Sequence, residues 1–110
     1  MNDDPRLMLC TCPDRDTGLS LAKTLVEERL AACVNLVPGI TSVYRWEGAL
    51  QEDAEVLLLI KSTTARTAAL IERLGQLHPY EVPEIIALPI TEGSTAYLSW
   101  LDNCTRERDQ

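Results

Sequence analysis

The sequence predicts a single α+β domain, and three observations point there. Short β-branched and leucine-rich runs alternate with two longer segments whose apolar residues recur every three or four positions. A chain of 110 residues is long enough for one domain with a real core. Apolar content of 45% with charged content of 25% is that of an ordinary soluble globular protein. With no Phe, the core must be built from Leu, Ile, Val and Ala, with Trp46 and Trp100 as its large pieces.

Residues 6–12 follow Pro5, are mostly apolar and read as the first strand. Cys10 and Cys12 are two apart and project from the same face of it. Pro13-Asp14-Arg15-Asp16-Thr17 places acids where a helix dipole favours them, which starts a helix over residues 16–31. Leu19, Ala22, Leu25, Val26 and Leu30 form its buried stripe, and Gly18 costs it about 1 kcal/mol relative to Ala. Residues 33–46 are β-like but interrupted at Pro38-Gly39, which fits one long strand bent at a bulge or lying on a sheet edge. Residues 47–53 read as a loop and 54–61 as the next strand. Its run Val56-Leu57-Leu58-Leu59-Ile60 lacks alternation, so it belongs in mid-sheet, buried on both faces.

Ser62-Thr63-Thr64 caps a second helix over residues 65–76, with Ala69, Leu70, Ile71, Leu74 and Leu77 inward. Residues 84–90 form a fourth strand. Ser94 or Thr95 then caps a short last helix carrying Tyr97, Leu98, Trp100 and Leu101. Residues 1–5 and 104–110 are expected to be flexible tails of this single domain. Strand, helix, strand, strand, helix, strand is the ferredoxin-like βαββαβ order, here with a short C-terminal helix. It implies one antiparallel sheet with both long helices on one face. The other face and a long edge at residues 33–46 are then left bare, which self-association into a closed ring would cover.

Charge and composition exclude several functions. The net charge of −7 lacks the basic stripe expected of a nucleic-acid binder. No apolar run reaches the roughly 20 residues that a bilayer needs. The acidic start Met1-Asn2-Asp3-Asp4-Pro5 is unlike a signal peptide, so the expected location is cytoplasmic. There the four cysteines are free thiols rather than a disulfide framework.

Chemistry concentrates in one stretch, Leu77-His78-Pro79-Tyr80-Glu81-Val82-Pro83-Glu84. It holds the only histidine and two carboxylates between two prolines that forbid regular helix. A rigid loop of this composition is the first place to look for function.

This loop, together with Cys33-Val34-Asn35-Leu36-Val37-Pro38-Gly39-Ile40-Thr41-Ser42-Val43-Tyr44-Arg45-Trp46-Glu47-Gly48, resembles signatures of the CutA divalent-cation-tolerance family. Glu52-Asp53-Ala54-Glu55-Val56 and Tyr97-Leu98-Ser99-Trp100-Leu101 resemble it too, so the similarity covers residues 7–101 in order. The resemblance implies a ferredoxin-like fold assembled as a tight homotrimer, cytosolic in bacteria and tied to tolerance of copper and other divalent metals. The trimer is similar to that of the PII signalling proteins, a likeness of fold that does not assign function.

The resemblance implies metal ligation by Cys10 and His78, which match a first-strand cysteine and a histidine before Pro-Tyr to which copper binding is attributed. Some members have two adjacent histidines there, where this chain has Leu77-His78. Thiolate and imidazole suit Cu(I), Cu(II) or Zn(II). Two ligands do not close a site; Cys12 is a candidate second sulfur, and Glu81 and Glu84 candidate oxygens. The plainer alternatives stay open. Cys10 on a central strand is equally a small core residue, and His78 equally a cap on the preceding helix. Cys33 and Cys104 are expected to be structural. Tyr44, Trp46, Tyr80 and Trp100 are expected at subunit contacts or a groove, with Lys61, Glu55 and Glu81 as pairing candidates.

Catalysis by a Cys10 nucleophile and a His78 base lacks a third orienting group, so the chain is expected not to be an enzyme. The competing reading is a trimeric PII-like sensing or adaptor module. It would hold a small ligand or partner protein in a cleft between subunits, without catalysis.

Overall fold

A computed structural model describes residues 4–106. The elements run β1 (Pro5–Cys12), α1 (Arg15–Glu27), β2 (Cys33–Trp46), β3 (Ala49–Thr63), α2 (Thr64–Leu77), β4 (Ile85–Pro89) and α3 (Thr95–Thr105). The four strands form one antiparallel sheet in the order β2-β3-β1-β4. This is the ferredoxin-like arrangement, and β3 is central as its unbroken apolar run requires.

On one sheet face Met8 lies opposite Ile60, Cys10 opposite Leu58 and Cys12 opposite Val56. These residues join Leu21 and Leu25 of α1 and Leu70 and Leu74 of α2 in a single buried cluster. Each fully buried leucine contributes about 1.5–3 kcal/mol of transfer free energy. Gly18 serves this layer, because a Cβ there would meet Leu58 and Leu36 at 3.3 and 3.4 Å. The Asp14 carboxylate opens α1 by accepting the Thr17 N–H at 2.8 Å. The helix stops at Glu27, short of residue 31, because Arg29 turns the chain with φ 62.

Several local expectations are corrected. Residues 49–53, read as loop, are strand: β2 and β3 pair from Val43–Glu52 out to Trp46–Ala49. Only Glu47 and Gly48 turn, with φ 50 and 83, the positive pair of a tight hairpin. The acidic run Glu52-Asp53 looked like loop chemistry, but an exposed hairpin arm tolerates it. Pro38-Gly39 does form the bulge, where the register shifts between Val37 and Ile40. Helix α2 buries only Leu70 and Leu74, leaving Ile71 and Leu77 exposed. Thr63 caps α2 by position without a side-chain bond. Its neighbours instead tie segments together, Ser62 donating to the Leu30 carbonyl and Thr64 Oγ1 accepting from the Asp4 N–H.

Some residues expected in flexible tails lie in regular elements. Pro5 pairs with Thr63, and Cys104 and Thr105 belong to α3, which Ser94 caps by accepting the Tyr97 N–H at 3.1 Å. Residues 1–3 and 107–110 lie outside the described residues.

The second sheet face presents Leu9, Leu59 and Ile86 in one row and Leu7 and Leu88 in another. Ile86 and Leu88 remain 48% and 43% exposed, and the hairpin carries exposed Val43 and Leu50. Among the described residues, no helix is long and apolar enough to cross a membrane.

Candidate functional site

The end of β1 and the end of α2 meet on the helix-covered side of the sheet. Cys10 and Cys12 are there because their shared parity on β1 turns both inward, and neither is exposed. Helix α2 ends at His78, whose own N–H closes the last turn on the Leu74 carbonyl at 2.8 Å. Pro79 holds His78 extended, with ψ 139, and the imidazole turns back to β1. The ring is buried, with Nε2 donating to the Thr11 carbonyl at 2.8 Å and Nδ1 accepting the Tyr80 N–H at 3.1 Å. These two partners define a neutral ring with its proton on Nε2. The side chain therefore does not cap α2 but bridges β1 to the following loop.

The sulfurs of Cys10 and Cys12 and a ring nitrogen of His78 all lie within 4.8 Å of one another. The Cys10 thiol is pushed up by its hydrogen bond to Cys12, then by burial, then by the negative charge of Cys12, Glu84 and Glu55. Cys12 is lowered, because the Cys10 S–H stabilises its thiolate. Of the two thiols, Cys12 is thus the easier to ionise, and the second proton is held more strongly, to be displaced by a thiophilic cation. Two sulfurs and an imidazole fit copper or zinc and do not fit a hard, oxygen-seeking cation. Glu81 is exposed and outside this group, so proximity in sequence to His78 did not bring it to the thiols.

Glu81 instead lines a cleft of about 770 Å³ between the β2–β3 hairpin and the loop at residues 79–84. Tyr44, Trp46 and Tyr80 share that cleft with Glu55 and Glu84. Trp100 stands elsewhere, packed on Tyr97 at 5.4 Å between ring centroids. Tyr80 donates its hydroxyl to Glu55 at 2.5 Å, and Tyr44 donates to Asp53. Burial, then the Glu55 contact, pushes the Tyr80 hydroxyl well above its usual range. Glu55 is only 8% exposed, a burial that its place in an acidic run did not announce. The alternation of Glu55 against inward Val56 was the one signal that put it on the second face. Lys61 bonds Asn35 rather than either glutamate.

A profile of the family described as "CutA1 divalent ion tolerance protein" matches residues 6–104. The divalent-cation tolerance protein CutA of Thermus thermophilus is 58% identical over 95 residues, which are 86% of this chain and 92% of that protein. A chloroplastic CutA of Arabidopsis thaliana is 55% identical over 96 residues, 87% of this chain but 53% of the plant protein. Among solved structures, CutA1 of Oryza sativa superposes with a TM-score of 0.93 at 48% identity, covering 97% of this chain and 98% of that one. With its signature loop, its sheet order and these relatives in agreement, the chain belongs to the CutA1 divalent ion tolerance family.

Proposed function

We propose that the chain is a homotrimeric tolerance protein that binds copper through Cys10, Cys12 and His78, with zinc as the competing divalent ion. The observation that carries this is the convergence of two sulfurs and one imidazole nitrogen within 4.8 Å, from cysteines 68 and 66 positions before the histidine in sequence. Soft and borderline donors of that kind favour copper over the hard cations of the cell. The chain's own part is to hold and withdraw the ion. His78 must give up either its Thr11 or its Tyr80 contact to coordinate, and the thiols must lose protons. A cytoplasmic, reducing location belongs with this proposal, because all four cysteines are free and metal binding needs them so. No turnover is assigned to the site, and Glu81 is not needed for it.

Titration of Cu(I) under reducing conditions against a competing chelator tests this. A single copper per chain is expected. Cys10→Ser, Cys12→Ser and His78→Ala should each weaken it about tenfold or more, and binding should weaken as pH falls and protons reclaim the thiols. Equal affinity in all three variants would remove the site.

A second reading is a PII-like sensing or adaptor module that holds a small ligand or partner protein between subunits without catalysis, and the cleft of the single chain would be one wall of that site. A concavity of about 770 Å³ with aromatic walls is of the size that small-molecule sites take.

A further inference from the structure

We propose that Tyr80 is the residue His78 must release in order to ligate a metal, and that this release breaks the Tyr80–Glu55 bond on the far face of the sheet. The inference deepens the copper reading, on which it rests, and makes Tyr80 a positioning residue for the thiol–imidazole group. A neutral imidazole has two nitrogens and one proton. The Thr11 carbonyl can only accept, so the proton sits on Nε2, and Nδ1 spends its lone pair on the Tyr80 N–H at 3.1 Å. Through Nδ1, His78 can offer that lone pair only once the Tyr80 N–H has left. Giving up the Thr11 contact instead frees Nε2 but does not spare Tyr80. The ring proton then passes to Nδ1, the donor position that a ligating histidine keeps on its other nitrogen. There it faces the Tyr80 N–H, one donor against another.

Tyr80 does not leave by its backbone alone. Its ring lies against the imidazole, with 4.7 Å between centroids, and its hydroxyl donates to Glu55 at 2.5 Å. Pro79 and Pro83 stiffen the chain on both sides of it. The N–H and the hydroxyl are opposite ends of one residue with two side-chain torsions, so a shift that frees the first pulls the second from its acceptor. Glu55 is buried on β3, paired with Ile40 beside the bulge of β2. A buried carboxylate that loses its donor must find another or turn toward water. The empty or loaded state of the thiol–imidazole group is thereby passed through the sheet. By linkage, the Tyr80–Glu55 bond in turn holds His78 in its empty, hydrogen-bonded state.

The test is NMR titration of the whole protein in its native assembly with Cu(I), which is diamagnetic, under reducing conditions. Tyrosine isotope-labelled at Cζ and glutamate at Cδ report the hydroxyl and its acceptor. As copper loads, the Tyr80 amide, Tyr80 Cζ and Glu55 Cδ signals are expected to change together, while Cζ of Tyr97 on α3 stays in place. Tyr80→Phe keeps the N–H but lacks the hydroxyl, so it should bind Cu(I) about fivefold or more tightly than wild type.

Copper binding that depends on Cys10, Cys12 and His78 but leaves Tyr80 Cζ and Glu55 Cδ unmoved would overturn the link and leave the copper site standing. An unmoved Tyr80 amide would overturn the release itself. Equal or weaker Cu(I) affinity in Tyr80→Phe would overturn the linkage. Copper affinity unaffected by Cys10→Ser, Cys12→Ser and His78→Ala would remove the copper site and this inference with it. If Tyr80→Phe does not fold, the wild-type signals decide by themselves.

Discussion

Tyr80 links the thiol–imidazole group to the second face of the sheet. Its N–H holds the His78 ring, and its hydroxyl holds Glu55. Because folding pushes that hydroxyl above the usual tyrosine value of about 10, its contribution to stability is complete below that pH and is lost as pH rises past it. Tyr80→Phe should cost about 1–3 kcal/mol near neutrality by leaving Glu55 without its donor. It should also flatten the fall in melting temperature on the alkaline side. Parallel alkaline profiles for wild type and variant, followed by calorimetry, would remove this role. At this scale the chain was partly readable. Cys10 and His78 were named from the family resemblance and Cys12 from its spacing to Cys10 on the strand, and the structure brings all three together. Glu55 was readable only as a pairing candidate; its burial and its Tyr80 partner were not, since an acid in an acidic run carries little local mark of burial.

At the scale of elements, the glycines separate backbone need from mere tolerance. Gly48 sits at φ 83 in the tight turn between β2 and β3, a conformation that penalises any side chain. Gly48→Ala should destabilise by about 1–2 kcal/mol in denaturant unfolding. Gly75 lies within α2 with nothing within 4 Å of a built Cβ, so Gly75→Ala should stabilise by about 0.5–1 kcal/mol. Opposite signs in the two variants are the expected result, and a shared sign would refute the assignment of the turn. Hairpin length was misread from sequence because Glu47 to Asp53 has loop-like composition. Pairing between two extended arms, not propensity, makes residues 49–53 a strand.

At the scale of the molecule, the second sheet face is the apolar surface that the proposed assembly would cover. Ile86 and Leu88 on β4, and Val43 and Leu50 on the hairpin, are apolar and exposed in a single chain. The proposed trimer would bury them, and a stable interface needs about 800 Å² from each partner. Light scattering should therefore return three times the 12.2 kDa chain mass, and Leu88→Asp should shift it toward one chain. A monomer at micromolar concentration would sink the trimer.

The sequence by itself determined the α+β class, the order of elements, the central position of β3 and the signature loop, because each is written in local periodicity and in prolines. Only the tertiary structure decided which residues share a site. His78 reaches Thr11 across 67 positions, and Tyr80 reaches Glu55 across 25. Strand register and the end of one helix, neither of them local properties, sort the thiols to one side of the sheet and the acids to the other.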